Sequence, residues 1–146
     1  MVIKNKENNE LPQYMENQDY LANLYVMKCY MVTMLVFTAA FVLNLLGIFI
    51  VEQKLMWRAY IPSLIIFVVV CIVSKVVSLS NRQLKYFILF SIISMFTIAG
   101  VFITYHVVLV SLFPFLYAAL YSSKRVMGYV CILAVLSTII TAFSKW

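Results

Sequence analysis

One uncharged stretch constrains the fold of this chain more than any other feature: residues 86–121 contain no Asp, Glu, Lys or Arg. As a single helix the stretch would be roughly 54 Å long, at 1.5 Å per residue. The hydrocarbon core of a bilayer is only about 30 Å thick. The stretch is therefore predicted to form a hairpin of two membrane spans that turns at its polar middle, residues 104–106. One tilted or kinked span is the alternative.

The composition agrees with a membrane location. The chain is 65% hydrophobic and 11% charged, whereas a soluble domain is about half apolar and a quarter charged. These values predict an all-α, polytopic integral membrane protein with about five transmembrane helices, or four if the long stretch is a single span. Residues 1–24 are predicted to be a polar cytoplasmic tail, loose up to about Glu16, and residues 25–146 a transmembrane domain. The predicted spans are 29–51, 60–77, 86–103, 107–121 and 126–143.

The positive charges predict the orientation. With the N-terminus inside the cell, most of the 11 Lys and Arg residues fall in inner segments, and only Lys54, Arg58 and Lys145 fall outside. The positive-inside rule therefore favours this orientation. The same rule accounts for the net charge of +6, so the expected partner is the lipid bilayer and no nucleic acid is expected. The loop 78–85 holds Asn81, Arg82 and Lys85 without an acidic residue.

A few polar or helix-perturbing residues inside the spans are candidates for packing or sensing. Asn44 and Gly47 share one face of the first span with Thr33 and Ala40, a pattern that predicts a close helix contact. A ligand contact by Asn44 is the alternative. Pro114 is expected to kink the fourth span, because a proline removes a backbone donor.

The predicted tip of the hairpin carries the titratable candidate. His106, beside Tyr105, has a side chain whose ordinary pKa near 6.5 would suit a sensor of pH or ligand. A hydrogen-bonded turn residue is the alternative interpretation.

No catalytic pattern is found. The sequence lacks a phosphate-binding glycine loop, metal-ligand spacing and a nucleophile elbow. Cys29, Cys71 and Cys131 lie in apolar runs without Cys-x-x-Cys spacing. No enzyme activity, cofactor or metal is therefore expected. No acidic residue is expected within or beside a span, where it would indicate a proton-coupled transporter.

Several membrane motifs resemble a known family. They are residues 104–109, Pro114, residues 118–125, residues 44–51 and residues 20–30. Together they are similar to the multi-span N-terminal membrane region of Firmicutes signalling proteins, in which a cytoplasmic output domain follows, such as a GGDEF diguanylate cyclase domain.

The resemblance implies the function that we expect. The chain would be a membrane-embedded sensor or anchor region in the bacterial plasma membrane, acting in cyclic-di-GMP signalling. It would pair as a homodimer or with a signalling partner chain. Since the family unit has about six spans and this sequence lacks a GGDEF motif, we expect either a fragment that stops before its output domain or a stand-alone relative. A small multi-pass transporter and a membrane assembly subunit are the alternative functions.

Overall fold

The computed structural model describes the backbone of residues 2–48, 51–77, 79–103 and 107–144, and the side chains of residues 17–48, 51–77, 79–103 and 112–144. Within these residues the chain forms five α-helices and is all-helical, as predicted. The helices are α1 (Val2–Leu45), α2 (Gln53–Val76), α3 (Asn81–Phe102), α4 (Val107–Ala119) and α5 (Lys124–Phe143).

Four of these helices are long and apolar enough to cross a membrane: α1 from Asn17, α2, α3 and α5. The outward-facing side chains are apolar as well, and Leu35 and Ile132 are exposed by 69% and 66%. Such faces suit contact with lipid rather than water. The fourth helix has 13 residues and is about 20 Å long, shorter than the hydrocarbon core. The structure is therefore consistent with a helical membrane protein, while five crossings and their orientation stay predictions.

The helix α3 lies at the centre and packs against the other four helices. Its contacts with α5 occur in the same order along both helices, from the N-terminal end toward the C-terminal end. The ring centroids of Tyr86 and Tyr129 are 5.1 Å apart, and Thr97 Oγ1 lies 2.7 Å from Ser137 Oγ further along. The two helices are therefore parallel, and α4 runs back between them. This reversal agrees with a hairpin within residues 86–121, although its predicted turn at 104–106 lies outside the described residues.

Several helix bounds differ from the predicted spans. The predicted loose tail is helical, because α1 begins at Val2. Its Lys, Glu, Gln and Leu residues favour helix, and the helix continues through Pro12. The helices α2, α3 and α5 begin at Gln53, Asn81 and Lys124 rather than at 60, 86 and 126. Polar residues can extend a membrane helix because long charged side chains reach the interface.

The helix that contains the predicted first span ends before residue 51. The helix α1 stops at Leu45, and Gly47 follows with a φ of 76°. The Ile48 N–H donates to Leu43 O at 3.1 Å, and the Gly47 N–H donates to Asn44 O at 3.0 Å. These two bonds form a Schellman motif, which needs a left-handed residue that glycine adopts at low cost. Gly47 therefore ends the helix instead of extending the predicted packing face.

Candidate functional site

The candidate site lies at the end of the bundle where α3 begins and α4 ends. Five polar residues from α1, α3 and the turn after α4 meet there. They are Asp19, Asn23, Asn81, Lys85 and Tyr121, and we call them the polar clamp. It connects three parts of the chain that are far apart in sequence.

An ion pair forms one half of the polar clamp. Lys85 Nζ donates to Asp19 Oδ1 at 2.9 Å and to Asp19 Oδ2 at 2.7 Å. The Lys85 side chain is 9% exposed and that of Asp19 is 26% exposed. Because a charge in a low-dielectric environment must be paired or solvated, each residue makes burial of the other tolerable.

Asn23 forms the other half of the clamp and uses both ends of its amide. Its Nδ2 donates to the backbone oxygen of Asn81 at 2.9 Å. Its Oδ1 accepts a bond from the Tyr121 hydroxyl at 2.8 Å. Asn23 is 3% exposed, so these bonds satisfy polar atoms that water does not reach freely.

The positions of the clamp residues follow from local structure. Asp19 and Asn23 are four residues apart on α1 and therefore lie on one face. Val26 and Tyr30 continue that face and are fully buried. Lys85 lies just over one turn into α3, and its Nζ is also 5.8 Å from the centroid of the Tyr86 ring. The helices thus bring opposite charges together where the apolar core begins.

Further polar pairs join helices deeper in the bundle. The Thr33 and Tyr117 hydroxyls share a hydrogen bond between α1 and α4, and Tyr117 also donates to Cys29 O at 3.4 Å. Thr38 and Tyr60 hydroxyls lie 3.2 Å apart between α1 and α2. Such bonds strengthen helix contacts within a membrane only modestly, by about 0.6 kcal/mol on average.

Tyr30 differs from these pairs. It is fully buried, and its hydroxyl has no hydrogen-bond partner among the described residues. Its ring packs edge-on against Phe67 with centroids 5.1 Å apart, so the side chain mainly contributes apolar packing to the contact between α1 and α2.

The structure separates the predicted site residues. Asn44 is 7% exposed, whereas Gly47 is exposed and no atom would lie within 4 Å of a Cβ added there. Pro114 is buried within α4, and the predicted kink at this residue stays a prediction. Tyr105 and His106 lie outside the described residues. None of the three described candidates takes part in the polar clamp.

The polar clamp is not predicted from the sequence, for an identifiable reason. Lys85 falls in the loop 78–85, which is predicted to be basic and without an acid, and Asp19 falls in the segment that is predicted to be a polar tail. The expectation that no acid lies beside a span was wrong, because Asp19 lies on the candidate span that begins at Asn17. The available signal was the four-residue spacing of Asp19 and Asn23 in register with the buried face of α1.

The groups of the polar clamp pair with one another and thereby position α1 against α3 and Tyr121. Its groups are a carboxylate, an ammonium, an amide and a phenol, held together by hydrogen bonds. Within the described residues, no group of three or more His, Cys, Asp and Glu side chains could hold a metal ion. A comparison with protein-family models found no match, and comparisons with curated proteins and with solved structures found none either.

Proposed function

We propose that this chain is the membrane-embedded sensor and anchor region of a bacterial signalling protein that acts in cyclic-di-GMP signalling. The single observation that carries the proposal is the ion pair between Asp19 and Lys85. It joins the continuous helix α1 to the central helix α3 at the end of the bundle. A sensor needs an element with two discrete arrangements. A charged contact that is either made or broken is such an element.

The distribution of charge supports an orientation with the clamp inside the cell. Among the side chains that the structure describes, four exposed cations lie at the clamp end, on the last turn of α2 and the first turns of α3 and α5. They are Lys75, Arg82, Lys124 and Arg125. The described side chains at the opposite end include Lys54 and Arg58, with Glu52 close by in sequence. Under the positive-inside rule, the clamp end faces the cytoplasm.

The clamp would transmit a signal through α1. This helix continues past Asp19 toward Val2, so a shift of α1 against α3 would carry beyond the membrane. The polar contacts of α1 with α3 and with Tyr121 hold one arrangement. A stimulus that favours a second arrangement would have to offset the loss of these contacts, which sets the threshold of the response.

The test compares cyclic-di-GMP concentrations in host cells that carry the wild-type chain, a gene deletion or the Lys85→Met variant. We expect the deletion and the variant to change the concentration in comparison with wild type. Lys75→Met is the matched control, since Lys75 is an exposed lysine at the same end. Equal concentrations in all four strains, with the two variants present in the membrane at the wild-type amount, would refute the signalling role.

A small transporter is the second candidate, because an acid–base pair next to a span can bind an ion or a proton. Uptake of a solute by proteoliposomes that contain this chain alone would favour transport. Against it, the fully buried Val26 separates Asn23 from Tyr30 along the inner face of α1, so the polar groups do not form a continuous path there.

A further inference from the structure

A second charged feature lies beside the polar clamp, where α3 and α5 begin. Because these helices are parallel, their N-terminal ends lie at the same end of the bundle. Arg82 and Arg125 are both exposed, and each lies in the first turn of its helix. Their guanidinium groups take no part in the polar clamp, in which Lys85 is the cation.

The tyrosine pair between α3 and α5 places the two arginines near each other. Tyr86 and Tyr129 meet edge-to-face, with ring centroids 5.1 Å apart. Arg82 precedes Tyr86 by four residues, and Arg125 precedes Tyr129 by four residues. Since residues four apart lie one above the other on a helix, both arginines lie one turn before the tyrosine contact. Each helix therefore carries an arginine one turn before a tyrosine, and the two arginine–tyrosine pairs lie next to each other.

No described acid neutralises these arginines. Asp19 is the one described acidic side chain at this end, and Lys85 occupies both of its oxygens. The first turns of α3 and α5 contain no acidic residue, and neither N-cap serine makes a side-chain capping bond. The partial positive charge of two helix starts adds to that of the arginines.

We propose that Arg82 and Arg125 bind the phosphate of an anionic phospholipid, with Tyr86 and Tyr129 as the adjoining aromatic wall. A guanidinium matches phosphate oxygens by paired hydrogen bonds. Tyrosine is a typical side chain of the membrane interface, where one part of the ring is in lipid and the hydroxyl reaches polar headgroups. A lipid headgroup is the occupant because the site lies at the end of apolar helices whose outward faces suit lipid.

This inference rests on the proposed membrane location but not on signalling. It assigns the two arginines a specific ligand, beyond the general excess of positive charge that sets orientation. A basic cluster near an anionic leaflet is attracted to it in any arrangement. At the proposed site, in contrast, stabilisation by an anionic phospholipid depends on Arg82 and Arg125 rather than on cations in general.

The test uses the full chain in nanodiscs of phosphatidylcholine alone or with phosphatidylglycerol. We expect phosphatidylglycerol to raise the midpoint temperature of wild-type unfolding by several degrees, since a ligand that binds only the folded state stabilises it. The R82Q/R125Q variant should lose most of this rise. The K54Q/R58Q variant removes the same charge at the opposite end and should keep it.

Two further arms separate the possible outcomes. The R82K/R125K variant keeps the charge without the paired geometry and should keep only part of the rise; if R82Q/R125Q does not fold, this variant decides. Excess soluble phosphate should not replace phosphatidylglycerol. An unchanged rise in the arginine variants, or an equal loss in K54Q/R58Q, would overturn the site. A chain that fails to insert into nanodiscs would instead contradict the membrane proposal.

Discussion

Lys85 Nζ lies 2.7 Å from Oδ2 of Asp19 and 2.9 Å from its Oδ1, and this contact joins two helices across 66 positions in sequence. The ammonium group is nearly buried, while the carboxylate keeps partial contact with the surroundings. A pair of this kind is costly to break from one side, because the remaining charge stays in a poorly solvated position. The first prediction follows from this asymmetry.

Removing one partner of the ion pair should destabilise the fold more than removing both. We expect Lys85→Met or Asp19→Asn to lower the free energy of unfolding by roughly 2–3 kcal/mol, below the full cost for a completely buried pair because Asp19 is partly exposed. The double variant D19N/K85M should regain at least half of that loss. Unfolding in detergent, evaluated as a double-mutant cycle, measures the coupling. Simple addition of the two single effects would show that the residues do not interact.

The hydroxyl of Tyr121 should contribute through Asn23. Tyr121→Phe leaves Asn23 Oδ1 without its donor, which should cost about 1–2 kcal/mol for a buried acceptor. Tyr25→Phe is the control, because Tyr25 is 60% exposed and its variant should stay within about 0.5 kcal/mol of wild type. The same unfolding assay compares them. Equal effects of the two variants would argue against a structural bond between Tyr121 and Asn23.

Replacing each of two glycines by alanine should change the free energy of unfolding in opposite directions. Gly100 is buried, and a Cβ there would lie 3.0 Å from Thr141 Cγ2. Thr141 is held by bonds from its hydroxyl to Ser137 O and Thr138 O, so Gly100→Ala should destabilise the fold by about 1 kcal/mol. Gly128 has no such neighbour, and Gly128→Ala should stabilise it by about 0.5–1 kcal/mol through helix propensity. Stabilisation by both variants would mean that α3 and α5 are further apart.

The role of Gly47 can be separated into helix ending and helix packing. Asparagine tolerates the left-handed conformation, so Gly47→Asn should change stability little. Gly47→Val should cost at least about 1 kcal/mol, because a β-branched residue is strained at positive φ. Unfolding free energies of both variants provide the measurement. A large cost for Gly47→Asn would instead support the close helix contact predicted from the sequence.

The proposed orientation predicts labelling from opposite sides of the membrane. In a chain whose native cysteines are replaced by alanine, Ser122→Cys should react with a membrane-impermeant maleimide only when the inner face is accessible. Glu52→Cys should react in intact cells, because it lies at the opposite end of the bundle. Labelling of both positions from the same side would refute the alternating arrangement of α2, α3 and α4 across the membrane.

The all-helical fold, with four helices long and apolar enough to cross a membrane, was predictable. It depends on composition and on the length of apolar runs, which are properties of the sequence alone. The helices α2, α3 and α5 begin before the predicted spans 60–77, 86–103 and 126–143, since the predictions take charge as the limit of each span. Lys85 shows why this limit fails: its charge is compensated by Asp19, so the helix can include it. Such compensation depends on a residue 66 positions away, so the sequence around Lys85 does not reveal it.

The sequence by itself determined an uncharged run too long for one crossing, a basic bias toward one end and the small or polar residues spaced along α1. Only the tertiary structure decided that α3 and α5 are parallel and that Asp19, Asn23, Lys85 and Tyr121 meet. The physical reason is that apolar periodicity determines which face of a helix avoids water or polar surroundings. Which helices contact each other depends instead on how they pack around α3. A carboxylate on α1 and an ammonium on α3 acquire their shared environment only when that packing is complete.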